Sequence, residues 1–489
     1  MQISLFDGIE KFKIDKPIRL IELFGGYGSQ AFALKYLGVN FEHWRLCEWA
    51  VKSIQAYKDA HFKNDNTDYS QGFRDEYIYE QLCKWGISSN YNEPMTAEQI
   101  KRLGIVKQRQ IFSNIIATHN MVNIQQVHAE DLGIVDTNKY CYVMTYSFPC
   151  QDLSLAGKGA GMEKGSGTRS GMLWEVERIL DECKELPQVL LMENVPEVIG
   201  TNNIKHFAKW LEKLESLGYH CYWKVLNAKD FGVPQNRERC FMVSVLGDYY
   251  YEFPQKIKLE HKLKDLLEEN VDEKYYLSDR IVNYFENHSK DAEKQGNGFR
   301  FTPIENCDVV AKTITTRAGS RMDDNFIKIT KENENFIQWE QKGLLDSDCR
   351  AWKDDKISGT LTCKGNNKIV ENLKTKLCNE LIQNGKVQEY DVIRHSYTNN
   401  RLNNGDKNMG RIENHEGLSP TLDTRCDCLG VVKDYRIRKL TPKECFRLMG
   451  VKDQDFENIA QNQSNASLYH LAGDSIVVDV LIAIFRQML

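Results

Sequence analysis

The stretch IRLIELFGGYGSQAFALKYL, residues 18–37, decides how the rest of the chain is read. Residues 18–24 form an apolar run stopped by glycines, the pattern of a buried strand, and residues 29–37 carry a helical spacing. Between them, Gly25-Gly26-Tyr27-Gly28 lets backbone N–H groups approach a ligand at a helix N-terminus. Glu48 follows Gly28 by 20 residues, at the end of the next strand-like run (WRLCE), where a carboxylate can meet a ribose hydroxyl. Trp49 beside it offers a flat face to an adenine. A tight turn with a surface Glu-Trp pair is the plain alternative. Strand, helix and acid together favour a nucleoside cofactor. NAD, FAD and S-adenosylmethionine all suit the pattern, and the lack of a third glycine favours a ligand without a pyrophosphate.

Working outward, strand-like runs recur at 142–148, 188–193, 221–226 and 240–246, with helical stretches at 171–185 and 204–217. Such alternation predicts an α/β fold: a doubly wound, mainly parallel sheet with helices on both faces. Two segments break the rhythm. Residues 62–127 are polar, and Thr96 and Gln99 there form a capping-box signature. Residues 248–435 are rich in Asn, Lys, Asp and Gly, and hold one motif three times, around Thr313, Thr360 and Thr421. Its uneven spacing excludes a solenoid and predicts a second, smaller β-rich domain. The division expected is therefore 1–247 with a helical insertion at about 62–127, a second domain at 248–435, and a return to the first at 436–489.

The composition is that of a globular protein. The chain has 489 residues, 41% hydrophobic and 27% charged, with a formal net charge of −5. No signal peptide or membrane-spanning run is read from it. Its 14 cysteines show no C-x-x-C pair, which suits reduced thiols in a cytoplasm and predicts no metal site. A mildly acidic chain can still carry a basic cleft.

Three further motifs carry chemistry. Cys150, in Phe148-Pro149-Cys150-Gln151, ends the run at 142–148, and strand ends are where α/β sheets place their ligands. A cysteine there serves as a nucleophile if its thiolate is favoured, or is one structural thiol among many. Glu193-Asn194-Val195 ends another buried strand, and Gln235-Asn236-Arg237-Glu238-Arg239 puts two arginines on one face. A structural salt bridge is the plain reading of these. A nicotinamide or flavin oxidoreductase with a reactive cysteine, or a non-catalytic DNA-binding regulator, also fits parts of the pattern.

Together the motifs resemble the C5-cytosine DNA methyltransferase family. The resemblance runs through Glu22–Gly28, Pro149-Cys150-Gln151, Glu193-Asn194-Val195, the Q-x-R-x-R pattern at Gln235–Arg239, the segment 438–449 and Gly473-Asp474-Ser475. Several positions depart from the family pattern. Glu22 stands where Asp is usual, Ser29 where Gly is common, Glu130 where Gly precedes Asp131, and Asp474 where Asn is usual. Family members acting on transfer RNA exist, and the large segment 248–435 favours DNA.

The resemblance implies catalysis by Cys150, Glu193, Arg237 and Arg239. The Cys150 thiolate adds to carbon 6 of a flipped-out cytosine. Glu193, protonated or sharing its proton, holds N3 and the exocyclic amine. Arg239 anchors O2, and Arg237 steadies the thiolate or its loop. It further implies S-adenosylmethionine as cofactor, held by Phe24, Gly26, Gly28, Glu48, Trp49, Asp131, Pro149, Leu173, Asp474 and Ser475. Residues 248–435 become a target-recognition domain. DNA contacts are expected from Gln151, Lys158, Lys164 and Arg169 in a mobile catalytic loop. Arg317, Arg321, Lys364 and Arg425 follow the three repeats, where base edges are read. Lys101 to Arg109 of the insertion is either part of a structural cover or a basic arm on DNA. A monomer is expected, cytoplasmic and nucleoid-associated on duplex DNA; the sequence leaves open whether a cognate restriction endonuclease exists, and one would act separately.

Overall fold

The computed structural model describes residues 9–149, 162–165, 169–294, 296, 300–330, 392–394, 412–413, 429–430 and 435–489. Its centre is a six-stranded sheet. We label the strands β1 (Ile18–Leu23), β2 (Phe41–Cys47), β3 (Cys141–Tyr146), β4 (Val189–Asn194), β5 (Tyr219–Asn227) and β6 (Glu238–Leu246). They lie in the order β2-β1-β3-β4-β6-β5. The first four strands run parallel, and β6 is antiparallel to both β4 and β5. Every residue of β3 and β4 is buried, as expected of strands covered on both faces. The order reverses between β1 and β3, which opens a crevice beyond their carboxyl ends. The glycine loop and Ser147–Pro149 both follow strands that end there.

Helix α1 (Ser29–Leu37) starts from Gly28 and stops at Gly38, both left-handed at φ 83° and 71°. A side chain at Gly28 would strike the rings of His61 and Tyr57, so glycine is required there twice over. One face of the sheet is covered by α6 (Leu173–Glu182) and α7 (Ile204–Ser216), whose Trp174, Ile179, Phe207 and Trp210 share a core with Met144, Tyr146 and Met192.

The insertion is helical, as its pattern predicts. Helix α2 (Val51–His61) leads into α3 (Asp75–Trp85), α4 (Ala97–Arg102) and α5 (Ile105–Ala117). Ile54, Ile78, Leu82, Ile100, Phe112 and Ile115 form its own small core. The Thr96–Gln99 capping box is present at the start of α4. After α5 the chain returns beside β2, where Leu46 and Asn120 form a parallel bridge.

The chain divides into two compact units, one of residues 1–271, 283–326 and 439–489, the other of 272–282 and 327–438. The boundary expected at residue 248 therefore shifts. The first repeat, with strand Ala311–Lys312, pairs with Gln235–Asn236 inside the first unit, and Thr313 Oγ1 donates to Asn236 O at 2.6 Å. Backbone pairing and a buried apolar Ala311 and Ile314 hold it there. The described part of the second unit is β-rich. Strand Val392–Arg394 lies between antiparallel Ile412–Glu413 and Leu429–Gly430, and Leu277 N donates to Ile437 O at 2.8 Å.

The C-terminal segment completes the first unit with α8 (Pro442–Arg447), α9 (Asp453–Ala460), α10 (Asn465–Asp474) and α11 (Val478–Arg486). Asn465–Arg486 is apolar enough to pass for a membrane span, at a mean hydropathy of 1.7, yet 67% of its most apolar window is buried inside the protein. It is a pair of core helices: α11 packs on α1, and Ile14 N donates to Met488 O at 2.7 Å.

Candidate active site

The crevice at the switch point is a cavity of about 390 Å³, within the range of small-ligand sites. Its floor is the glycine loop. Gly26, at φ 57°, has open space where a Cβ would stand. Its N–H donates to Glu48 Oε2 at 3.0 Å, while Glu48 Oε1 accepts from Ala50 N at 2.7 Å. Two backbone donors thus fix a carboxylate that burial pushes up to about 7. Behind the loop, Glu22 is fully buried, accepts from Tyr57 Oη at 2.6 Å, and is also raised to about 7 by burial.

The segment leading to Cys150 is held from three sides. Ser147 Oγ donates to Phe24 O at 3.4 Å, Asn194 Nδ2 to Phe148 O at 2.9 Å, and Ser170 Oγ to Pro149 O at 2.8 Å. Asn194 therefore couples the end of β4 to the end of β3. Next to it on β4, Glu193 pairs with Arg239 Nε at 3.1 Å. Burial raises the Glu193 pKa, against the pull of Arg239 and Arg237. Both members of the pair face the cavity, as do Phe24, Trp49 and Pro149.

Arg237 also reaches the cavity but has a different occupation from the one expected. Only 4% exposed, it donates to Ile314 O at 2.9 Å, Gly473 O at 3.1 Å and Ser475 O at 2.7 Å. Burial and Arg239 push it down to about 9, still charged at neutral pH. It is a positioning residue that fixes the Gly473–Ser475 wall. Gln235 works alongside, donating to Leu448 O at 2.6 Å and accepting from Ile314 N at 3.0 Å. Gly473 packs so closely on Thr315 and Thr316 that any side chain would strike their backbone. Asp474 and Ser475 line the cavity, and Tyr27 Oη donates to Ser475 Oγ at 2.8 Å. The Asp474 carboxylate is partly exposed, and desolvation by its surroundings raises its pKa.

Similarity to known proteins settles the family. The family described as C-5 cytosine-specific DNA methylase matches residues 96–489. The chain belongs to it. This methylase is 29% identical over 481 residues to Type II methyltransferase M2.ScrFI of Lactococcus lactis subsp. cremoris, covering 96% of this chain and 99% of that one. It is 38% identical to Orphan methyltransferase M.SssI of Spiroplasma monobiae over 54% of this chain and 69% of that one. Its fold matches the crystal structure of S. pombe Dnmt2 methyltransferase with a TM-score of 0.51 at 14% identity, covering 96% and 97% of the two chains.

Three expected cofactor residues of the methylase lie elsewhere. Gly28 serves as the cap of α1 and is not in the cavity wall. Asp131 is exposed and spends its carboxylate on His128 N at 2.8 Å. The wall position beside β2 is taken by Asn123 and Ile124 instead. Leu173 points into the core, while its neighbour Met172 lines the cavity. Sequence reasoning also missed Tyr91 and His470, which line the same cavity. Of the expected DNA contacts, Arg317 and Arg321 are exposed on the first unit. Lys164 pairs with Glu177 at 2.5 Å, and Arg169 opens the 3₁₀ turn Arg169–Met172. Cys150, Gln151, Lys158, Lys364 and Arg425 lie outside the described residues.

Proposed function

We propose that the methylase modifies carbon 5 of a cytosine flipped out of a specific duplex DNA sequence, with Cys150 as nucleophile and the switch-point cavity as its S-adenosylmethionine site. The observation that carries this reading is a convergence. The Glu193–Arg239 pair, the chain entering Cys150 and the Gly26–Glu48 cradle all border one cavity. The cavity fits the cofactor: a fixed carboxylate for a ribose, an indole for an adenine, and an open glycine for close approach. When bound, S-adenosylmethionine supplies an electrophilic methyl group.

The protein's own groups do the rest. Cys150 Sγ, as thiolate, adds to carbon 6 and pushes the ring electrons to carbon 5, which would take the methyl group as its bond to the sulfonium sulfur breaks and a neutral thioether leaves. Glu193, whose pKa is raised by burial, shares a proton with N3 as charge develops on the ring. Arg239 orients Glu193 and holds O2. Carbon 5 then loses its proton to water, the Sγ–C6 bond breaks, and the thiolate is restored. Asn194 holds Phe148, two residues ahead of Cys150 in the sequence. Arg317 and Arg321 contact the duplex from the first unit, with Gln151, Lys158, Arg169, Lys364 and Arg425 as further contacts. Residues 327–438 read the target, and the enzyme acts as a monomer, with any restriction endonuclease a separate chain.

Incubation with labelled S-adenosylmethionine should label duplex DNA and leave RNA unlabelled. DNA carrying 5-fluorocytosine should trap the wild-type protein covalently, because fluorine does not leave as a proton does. Cys150→Ser should give no adduct while keeping DNA affinity, since the hydroxyl ionises far less readily than the thiol. An active enzyme that forms no adduct would remove Cys150 from the mechanism.

A further inference from the structure

The insertion reaches the cofactor cavity at one turn. Ser88 N donates to Trp49 O at 2.8 Å and Val51 N to Ser88 O at 2.9 Å, so the chain after α3 is sewn onto the backbone around Trp49. From that base a tight turn is braced by its own side chains. Ser88 Oγ accepts from Tyr91 N at 3.1 Å and donates to Glu93 O at 2.7 Å. Asn90 Oδ1 accepts from Asn92 N at 3.0 Å and Glu93 N at 3.2 Å. Tyr91 sits at the tip with φ 64°, a left-handed conformation uncommon for a tyrosine and held only where its surroundings over-determine it.

Tyr91 meets the far end of the chain. Its ring lies flat on His470 of α10, with centroids 4.0 Å apart and planes at 13°. Ser53 Oγ on α2 donates to Tyr91 Oη at 3.4 Å. One turn beyond His470 is Asp474, whose Oδ2 lies 4.0 Å from His470 Nδ1. Tyr91, His470 and Asp474 all face the cavity. The floor is fixed by the Gly26 and Ala50 amides on Glu48, whereas the turn of the insertion and α10 meet across this wall through two stacked rings.

We propose that the Tyr91–His470 stack is a clasp that retains the cofactor: the insertion and α10 close one wall of the cavity, and S-adenosylmethionine leaves by parting the two rings. The proposal rests on the cavity being the S-adenosylmethionine site. It gives residues 62–127 a part in the cofactor cycle. An electron-rich ring face beside the Asp474 and Glu48 carboxylates also suits a ligand that carries positive charge.

The test uses the full-length protein, with equilibrium titration of S-adenosylmethionine and its dissociation rate after a chase. Tyr91→Ala should raise the dissociation rate about three- to tenfold, the worth of one aromatic pair, with duplex DNA affinity unchanged. Tyr91→Phe keeps the ring and should restore the wild-type rate. His470→Ala reaches the same stack from α10, which covers the case of a Tyr91→Ala that does not fold. The double variant should be no worse than either single one, because both remove the same pairing. Dissociation rates within twofold of wild type for both single variants, or effects that add in the double, would overturn the clasp. A wild type that binds no S-adenosylmethionine would overturn the cofactor reading, and the clasp with it.

Discussion

A guanidinium has five N–H donors in a fixed plane, and Arg237 uses that fork to gather three carbonyls from two distant segments. Lysine cannot reproduce the fork. Arg237→Lys leaves buried carbonyls unmet and should cost about 3 kcal/mol of stability, seen as a lower urea midpoint. S-adenosylmethionine affinity should fall with it, because the Gly473–Ser475 wall is no longer fixed. Nothing near Arg237 in sequence announces this role, since its partners are Ile314, Gly473 and Ser475. Glu22 makes a second prediction. Burial raises its pKa from 4.5 to about 7, so the folded state holds the proton more tightly than the unfolded chain. The associated stability is complete below pH 4.5 and is lost as pH rises to about 7. Against Glu22→Gln, which cannot ionise, the wild type should lose ground over that interval. A stability difference that is flat with pH would mean that Glu22 stays ionised in the fold.

Two capping boxes show how an element's start is written locally and how its worth depends on surroundings. Thr96 caps α4 at an exposed site, so Thr96→Ala should cost about 1 kcal/mol. Thr441 caps α8 in the same way but is buried, and its hydroxyl also donates to Glu268. Thr441→Ala should cost about 2 kcal/mol, since Glu268 loses a partner as well. Paired urea titrations check both, and equal losses would show that burial adds nothing. The box at Thr96 was legible because all its atoms lie within one turn. The strand ends Phe24, Glu48, Pro149 and Glu193 were legible because a parallel sheet gathers them at one edge. The exchange of Asp131 for Asn123 was not legible. Which residues line the cavity beside β2 depends on where the chain returns from α5, alongside the Leu46–Asn120 bridge. Tyr91 and His470 were missed for the same reason: their meeting is a tertiary event between residues that carry no motif.

At the scale of the molecule, the helical insertion lines the cavity at Tyr91. Its expected basic arm is reduced, because Arg109 is committed to Asp75 and to the carbonyls of Ser70 and Phe73. Lys107 donates to Gln110 at 2.8 Å, and Lys101 and Arg102 remain exposed. Replacing Lys101 and Arg102 with Ala should lower the slope of log DNA affinity against log salt by about one for each phosphate that is no longer neutralised. Arg109→Ala should leave that slope alone and lower stability instead. A slope changed by Arg109→Ala alone would place the arm on the wrong residues.

The first unit is assembled from three stretches of chain, with residues of the second unit interposed between each stretch and the next. That order matters on the ribosome. Arg237 emerges long before Gly473 and Ser475, and at about 5–20 residues per second the interval is on the order of tens of seconds. Throughout it, the nascent sheet lacks α11 over α1, and the Arg237 guanidinium lacks two of its acceptors. A polypeptide interrupted after Arg239 and before Gly473 therefore carries Cys150, Glu193 and Arg239 but lacks the Gly473–Ser475 wall of the cavity. The cavity is therefore complete only once Gly473, Asp474 and Ser475 have joined a sheet made long before them.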